Sequence, residues 1–358
     1  MTDTKSKDVT PHADYGFFAP DSVTRRVWGY PTTPLHGIVR AVTVEELDPN
    51  LIASVDATGA NYDRLPTRYA RTVQYFAAVA FADARTVLEM ADVLVKIHSK
   101  AIGVEPVSGG HYDANDPESQ LWILVTGWHS VLKAYETFGP GRLTDDEVRQ
   151  YWADCAIAAE MQTCDPDSVP RSREEVRAYF DSWRPHLAAS EAAQHMMVHL
   201  LNGANAVVVD GPLRLARRPA NWFIRTGTTA LLPRHMRRLA GIHQSPATDL
   251  LITYVTRAFF AAFGSLTIGQ RWFLQHVAPK TLPIVEPHWN AVPPVNREVL
   301  TPAEARDRFG FARPAEAHLE LREKQRERVF GRGEAPSENG LVESQRLLGS
   351  VGESSVVG

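Results

Sequence analysis

Four side chains in the stretch from Arg68 to Gly103 have the types and spacing to do chemistry: Arg68, Arg71, Thr72 and His98. Arg68, Arg71 and Thr72 stand at i, i+3 and i+4, so on a helix they share one face. Two guanidiniums held that close repel one another. A solvated helical face tolerates this, and so does a bound anion such as a propionate, a carboxylate or a reduced oxygen species, to which Arg donates charge-assisted hydrogen bonds. His98 lies on an apolar stripe with Val87, Ala91, Leu94, Ala101 and Ile102. A histidine so placed is ordinarily a core residue with one hydrogen bond. A helix-borne imidazole facing a cavity is also the way many haem irons are held.

The element that must position these groups is a helical hairpin turning near Phe81-Ala82-Asp83. At about 1.5 Å per residue, Arg68 and His98 then lie roughly 21–24 Å from the turn, at nearly the same height on opposite arms. Helices in direct contact are only about 8–10 Å apart. A haem with ligands on both faces therefore requires the arms to splay or another helix to intervene.

Around the hairpin the chain reads as all-α, a single large helical domain enclosing a cofactor pocket, with disordered termini. Residues 1–14 are expected to be disordered, 15–300 to form the helical domain, 301–330 peripheral helices and 331–358 a disordered tail. Helices are expected over Ile38 to Leu47, Pro117 to Phe138, Thr144 to about Gln162, Ser172 to before Pro185, and Ser190 to Leu201. Thr144 with Glu147, and Ser172 with Glu175, make capping boxes. Residues 104–116 read as a loop rich in Gly, Pro and Asp. Val207-Val208-Val209 is the one hint of a strand. Helical segments are also expected within Leu213 to His243, over Ala247 to Phe263 and Ile268 to Val277, and from Thr301.

Composition narrows the class. The net charge is −4, with no basic excess for nucleic acid. Cys155 and Cys164 are the only cysteines, too few for a disulfide framework or a Cys-rich metal site. The polar start MTDTKSKDVTPHADYG has no apolar signal region, and no uncharged apolar run reaches the ~18 residues of a membrane span. The expectation is a soluble cytoplasmic protein. Between Asp210 and Asp249 there is no acidic residue but seven arginines, with Trp222, Phe223, Leu231 and Leu232. A solvated basic rim or peripheral membrane contact through 213–243 would both use such a stretch.

Other motifs are absent or weak. Nothing fits G-x-G-x-x-G, G-x-x-x-x-G-K-[ST] or G-x-S-x-G. His195 and His199, with Glu191 a turn earlier, could bind a non-haem metal, but the Glu of H-E-x-x-H is missing. His129 follows Trp128 inside an apolar helix.

Several segments in order resemble the rubber oxygenase (latex-clearing protein)/MpaB oxygenase catalytic domain. They are Phe18-Ala19-Pro20-Asp21-Ser22-Val23-Thr24, Arg68-x-x-Arg71-Thr72, Val95-x-x-His98, Asp116-Pro117-x-x-x-Leu121-Trp122, and Val169-Pro170-Arg171-Ser172-Arg173-Glu174-Glu175. Together they cover roughly residues 15 to 200. The resemblance implies an all-α fold around one haem b, used with dioxygen on a hydrophobic small molecule or secondary metabolite. It makes His98 the proximal ligand of the haem iron and puts Arg68, Arg71 and Thr72 on the distal side. Rubber-cleaving members carry Lys where this chain has Arg71, and a guanidinium stays protonated and does not ligate iron. Many relatives also carry His at the positions of Asp48 and Leu124, and His129 is a candidate substitute. These departures keep a second reading in view: a haem- or ligand-binding helical protein without turnover. A non-haem metalloprotein using His195 and His199 is a third.

Overall fold

The computed structural model describes residues 9–51, 61–104, 109–203, 215, 217–264 and 266–334. The fold is organised on one helix, Pro117–Phe138, which carries buried side chains around nearly its whole circumference. Asp116 caps it by accepting from the Ser119 amide, Pro117 sits at its first turn where a missing N–H costs nothing, and Gly139 ends it.

In chain order the elements are α1 (Val23–Trp28), a π-helical turn (Thr33–Gly37), α2 (Ile38–Glu45), α3 (Asn61–Phe81) and α4 (Ala84–His98). A short antiparallel hairpin, β1 (Ile102–Val104) and β2 (His111–Asp113), leads into α5 (Pro117–Phe138). Then follow α6 (Asp145–Ala159), α7 (Arg173–Trp183), α8 (Glu191–Leu201), α9 (Arg217–Leu231) and α10 (Arg234–Leu239). The chain continues through α11 (Pro246–Phe263), α12 (Thr267–Val277), α13 (Leu282–Trp289), α14 (Pro302–Phe309) and α15 (Leu319–Arg326).

The all-α expectation holds, and α5 and α8 fall where the sequence places them. Thr144 closes a capping box with Glu147 at the head of α6, which stops at Ala159. At α7 the Ser172 hydroxyl accepts from the Glu175 amide, but Glu175 reaches back to the Arg171 amide instead of its own cap. The β-hairpin is a correction, since residues 104–116 read as loop. Its register pairs Gly103 with Tyr112. A Cβ on Gly103, which the sequence places at the end of the helical arm, would stand 2.6 Å from the Tyr112 hydroxyl, so this glycine is what lets the tyrosine fold over the strand. Val207 to Val209 lies outside the described residues.

Two further expectations change. Residues 9–14, expected to be disordered, are pinned to the body: Asp14 is buried and its Oδ1 accepts from the Gly16 and Ala84 amides at 2.7 and 2.8 Å. The segment 301–330 does more than cover the edge. Arg326 pairs with Asp113 of β2 at 2.7 Å, His318 meets Asp92 of α4 at 2.5 Å, and Phe330 stacks on His111 at 4.0 Å.

The core joins α1, α3, α5 and α6 through aromatic contacts, and α4 adds Val87, Leu88 and Met90. Trp28 stacks on Phe76 at 5.3 Å and meets Trp128 edge-on at 5.5 Å, and the Tyr151 hydroxyl donates to the Trp128 carbonyl at 2.9 Å. A second cluster surrounds Trp122, which stacks on Trp183 at 5.3 Å. The π-helical turn passes so close to α5 that a Cβ on Gly37 would lie 3.1 Å from the Val131 Cα. Gly37→Ala is expected to cost about 1–3 kcal/mol, because backbone meets it rather than a movable side-chain end. Urea denaturation measures this, and a variant within error of the parent contradicts it.

Candidate active site

The hairpin turns at Ala82-Asp83. Asp83 caps α4 by accepting from the Thr86 amide. Arg68 then stands 13 residues before the end of α3 and His98 14 residues after the start of α4, about 20 and 21 Å along their arms. The arms touch one another, and each also packs on other elements: α3 on α13 and the turn at Pro279–Thr281, and α4 on α14.

His98 is the last residue of α4. Burial lowers its imidazole from the ordinary 6.5 to about 4; the Asp113 carboxylate and Ala114 carbonyl pull upward, while the Arg68 charge pushes further down. The ring is therefore neutral at pH 7, the form in which a metal can take its lone pair. The Gln120 amide lies 3.3 Å from His98 Nδ1 and donates to the Ala114 carbonyl at 2.6 Å. Ring, amide and carbonyl hold one another. Donation from the Gln120 amide to Nδ1 leaves the ring proton on Nε2; Nε2 is free for a metal only in the other tautomer, with the proton on Nδ1.

What holds the end of α4 comes from the β2–α5 connection. Asn115 Nδ2 donates to the Val95 carbonyl at 3.0 Å and to Ser99 Oγ at 3.3 Å. The Asn115 carbonyl accepts from Thr163 Oγ1 at 2.9 Å and faces Arg322 Nη2 at 3.5 Å. The C-terminal helix α15 is thereby tied to the site.

The charge of Arg68 also acts on Glu45 and Glu46, at the end of α2. Burial raises Glu45 to about 8, helped by Glu46 and opposed by Arg68. Burial raises Glu46 to about 7, again opposed by Arg68. Glu46 is 8% exposed, and its Oε2 is buried without a hydrogen-bond partner. Two carboxyls that exchange protons near neutral pH, within reach of the Arg68 charge, make a general acid/base arrangement.

Of the four residues singled out from the sequence, electrostatics bring Arg68 and His98 together. Arg71 and Thr72 are half-buried a turn further along α3, and burial lowers the Arg71 guanidinium. Glu45, Glu46 and Gln120 escape sequence reasoning. A pair of acids at the tail of an apolar helix, Ile38 to Val44, was the available signal for the first two. Asp48 is buried and accepts from the Asn50 amide at 2.9 Å, and Leu124 is core.

His129 does not substitute for a histidine at 124. Five residues on a helix turn about 140°, and nine turn half-way round. His129 therefore faces away from Gln120 and His98. It lies 3.5 Å from Arg40 and 4.7 Å from the Phe180 ring. His195 is exposed and His199 half-buried, and no set of three or more His, Cys, Asp or Glu able to hold a metal occurs among the described residues.

The remaining resemblance segments position the site from a distance. Ser22 caps α1, Thr24 donates to Asp154 at 2.7 Å, and Arg173 pairs with Glu136 at 2.5 Å.

The all-α body carries a neutral helix-end histidine and two buried carboxyls, each within reach of the Arg68 charge. Residues 25–265, about two thirds of the chain, match the family described as ER-bound oxygenase mpaB/B'/Rubber oxygenase, catalytic domain. The chain belongs to that family, which makes it an oxygenase-type oxidoreductase. No curated protein and no solved structure matches it significantly.

The depressed imidazole has a direct consequence. An ordinary histidine is half protonated at 6.5, whereas His98 should stay neutral until about 4. The unfolded ring binds its proton first as pH falls, so this group contributes stability above 6.5 that is lost as pH falls towards 4. His36 and His288 shift the same way, so the His98 ring resonance itself is the readout. Titration by NMR should show no protonation of His98 between pH 7 and 5.5; a midpoint near 6.5 contradicts the buried placement.

Proposed function

We propose that the chain is a haem-b-dependent oxygenase acting with dioxygen on a hydrophobic small molecule, with His98 as the proximal ligand. The observation that supports this most is the His98 imidazole, neutral, in contact with Gln120 and Ala114 and within reach of the Arg68 charge from the other arm. The donor set suits a porphyrin: one neutral nitrogen on one side, and guanidiniums on the other for anionic groups. The haem, when bound, supplies the activation of dioxygen.

The chain's own residues then divide the remaining tasks. His98 would give a lone pair from Nε2 in the tautomer that keeps its proton on Nδ1. Arg68, exposed on α3, would hold permanent positive charge where negative charge develops. Arg71 adds a second donor fork, and as an arginine it serves by hydrogen bonding rather than ligation. The Thr72 hydroxyl donates or relays a proton on the same face. Glu45 and Glu46, with protonation near neutrality, accept or return a proton at their carboxyl oxygens.

The visible spectrum tests the proposal. The purified protein, reconstituted with haem, should show a Soret band that shifts on reduction and with carbon monoxide. His98→Ala should abolish or displace it. Absence of any band sinks the haem class, and an unchanged band in His98→Ala sinks the ligand assignment. A band without oxygen uptake across hydrophobic substrates would favour the binding protein without turnover.

A membrane contact belongs to this proposal, moved from its expected place. In 213–243, Leu231 and Leu232 are buried, and Trp222 remains exposed at 55%. The apolar surface lies instead on α11 and α12, where Leu250, Leu251, Tyr254, Phe263, Ile268 and Trp272 are exposed. No single described helix is long and apolar enough to cross a membrane. Exposed Arg217, Arg218 and Arg225 of α9 stand on the helix that packs along α11. Apolar side chains beside arginines suit the surface of an anionic bilayer. Co-sedimentation with vesicles containing phosphatidylserine should fall at least fivefold in Tyr254→Asp/Ile268→Asp; equal sedimentation of parent and variant contradicts the contact.

A further inference from the structure

On the face of α5 opposite Gln120 lies a cavity of about 560 Å³, the size of a small-molecule site. Its wall carries six arginine and lysine side chains from α2, α5, the α5–α6 connection, α7 and the residue after it, against two carboxylates, Glu136 and Asp181. Those carboxylates are committed: Glu136 pairs with Arg173 at 2.5 Å and Asp181 with Arg184 at 3.2 Å. Arg40, at the base, is 1% exposed. Its guanidinium touches only neutral groups among the described residues: the Leu231 carbonyl at 3.1 Å, Ser130 Oγ at 2.5 Å and His129 Nδ1 at 3.5 Å.

A buried guanidinium without a counter-charge is costly unless something pairs with it. Here the neighbouring groups aggravate the excess. Burial and the Arg40 charge keep His129 neutral, and burial and Arg40 also lower the Lys133 ammonium. Trp152, Leu132, Val176 and Met236 supply the apolar remainder of the wall.

We propose that this cavity binds a small amphiphilic anion, its carboxylate or phosphate group against Arg40 and Lys133 and its apolar body against Trp152 and Met236. An anion there pairs the orphan guanidinium bidentately, which a chloride or a water does not. The site is separate from His98, half a helical turn round α5, and does not depend on the cofactor assigned above.

Isothermal titration of the full chain with inorganic phosphate and with butyrate, in dilute Tris chloride, tests it. At least one of the two should saturate a single site. Lys133→Gln/Arg177→Gln, on the cavity rim, should weaken that binding at least tenfold, and Arg85→Gln, exposed on α4, should leave it unchanged. Arg40→Met should abolish it; should that variant fail to fold, the rim double variant decides. Preference for phosphate or for butyrate identifies the headgroup, and either supports the site. No saturable binding of either anion, or equal affinity in the rim double variant, overturns it.

Discussion

Enclosure of the helix Pro117–Phe138 is the constraint on which the rest of the structure depends. A 22-residue helix with buried side chains on almost every face must be covered from all sides. The segments that cover it, α1, the π-helical turn, α2, α6 and α11, are thereby fixed relative to one another. Gly37 lets the π-helical turn approach, and the Trp28, Phe76, Trp128 and Tyr151 rings pack together in the core beside it. Both sites described above are faces of this one helix. Gln120 at its start orients His98, and His129 two and a half turns later points at Arg40.

The second organising fact is burial of charge. Arg68 stands near two carboxyls and an imidazole, and desolvation is the largest influence on all three. In water these groups would be two carboxylates and a half-protonated ring at pH 6.5. Inside the fold the carboxyls titrate near 7 to 8 and the imidazole near 4. Moving acids up and a base down makes proton donors of the former and a free lone pair of the latter at neutral pH. That is the condition for dividing acid/base and ligand roles among neighbours.

Much of this was legible in the sequence because it is local. Caps and breakers such as Asp116-Pro117, Thr144 with Glu147, and Gly139-Pro140 mark helix ends through hydrogen bonds within a few residues. The hairpin carrying Arg68 and His98 was readable from spacing and rise alone. What escaped is long-range. The β-hairpin depends on Tyr112 folding over Gly103 and on Arg326 reaching Asp113 from more than 200 residues away. Glu45 and Glu46 look like an ordinary polar helix end until tertiary burial removes their water. The apolar residues of 213–243 left a basic rim and a membrane contact both open; packing turns Leu231 and Leu232 inward, leaves Trp222 exposed, and exposes further apolar side chains on α11 and α12.

The central claim is that Arg68, Glu45, Glu46 and His98 share one electrostatic site across the hairpin. Removing the charge of Arg68 should therefore act on all three partners at once. The measurement is a titration by NMR with labelled glutamate side chains and histidine rings, comparing the parent with Arg68→Gln. Because a positive neighbour holds each proton affinity down, Glu45, Glu46 and His98 should all titrate at higher pH in the variant. Midpoints that stay in place for all three would contradict the shared site.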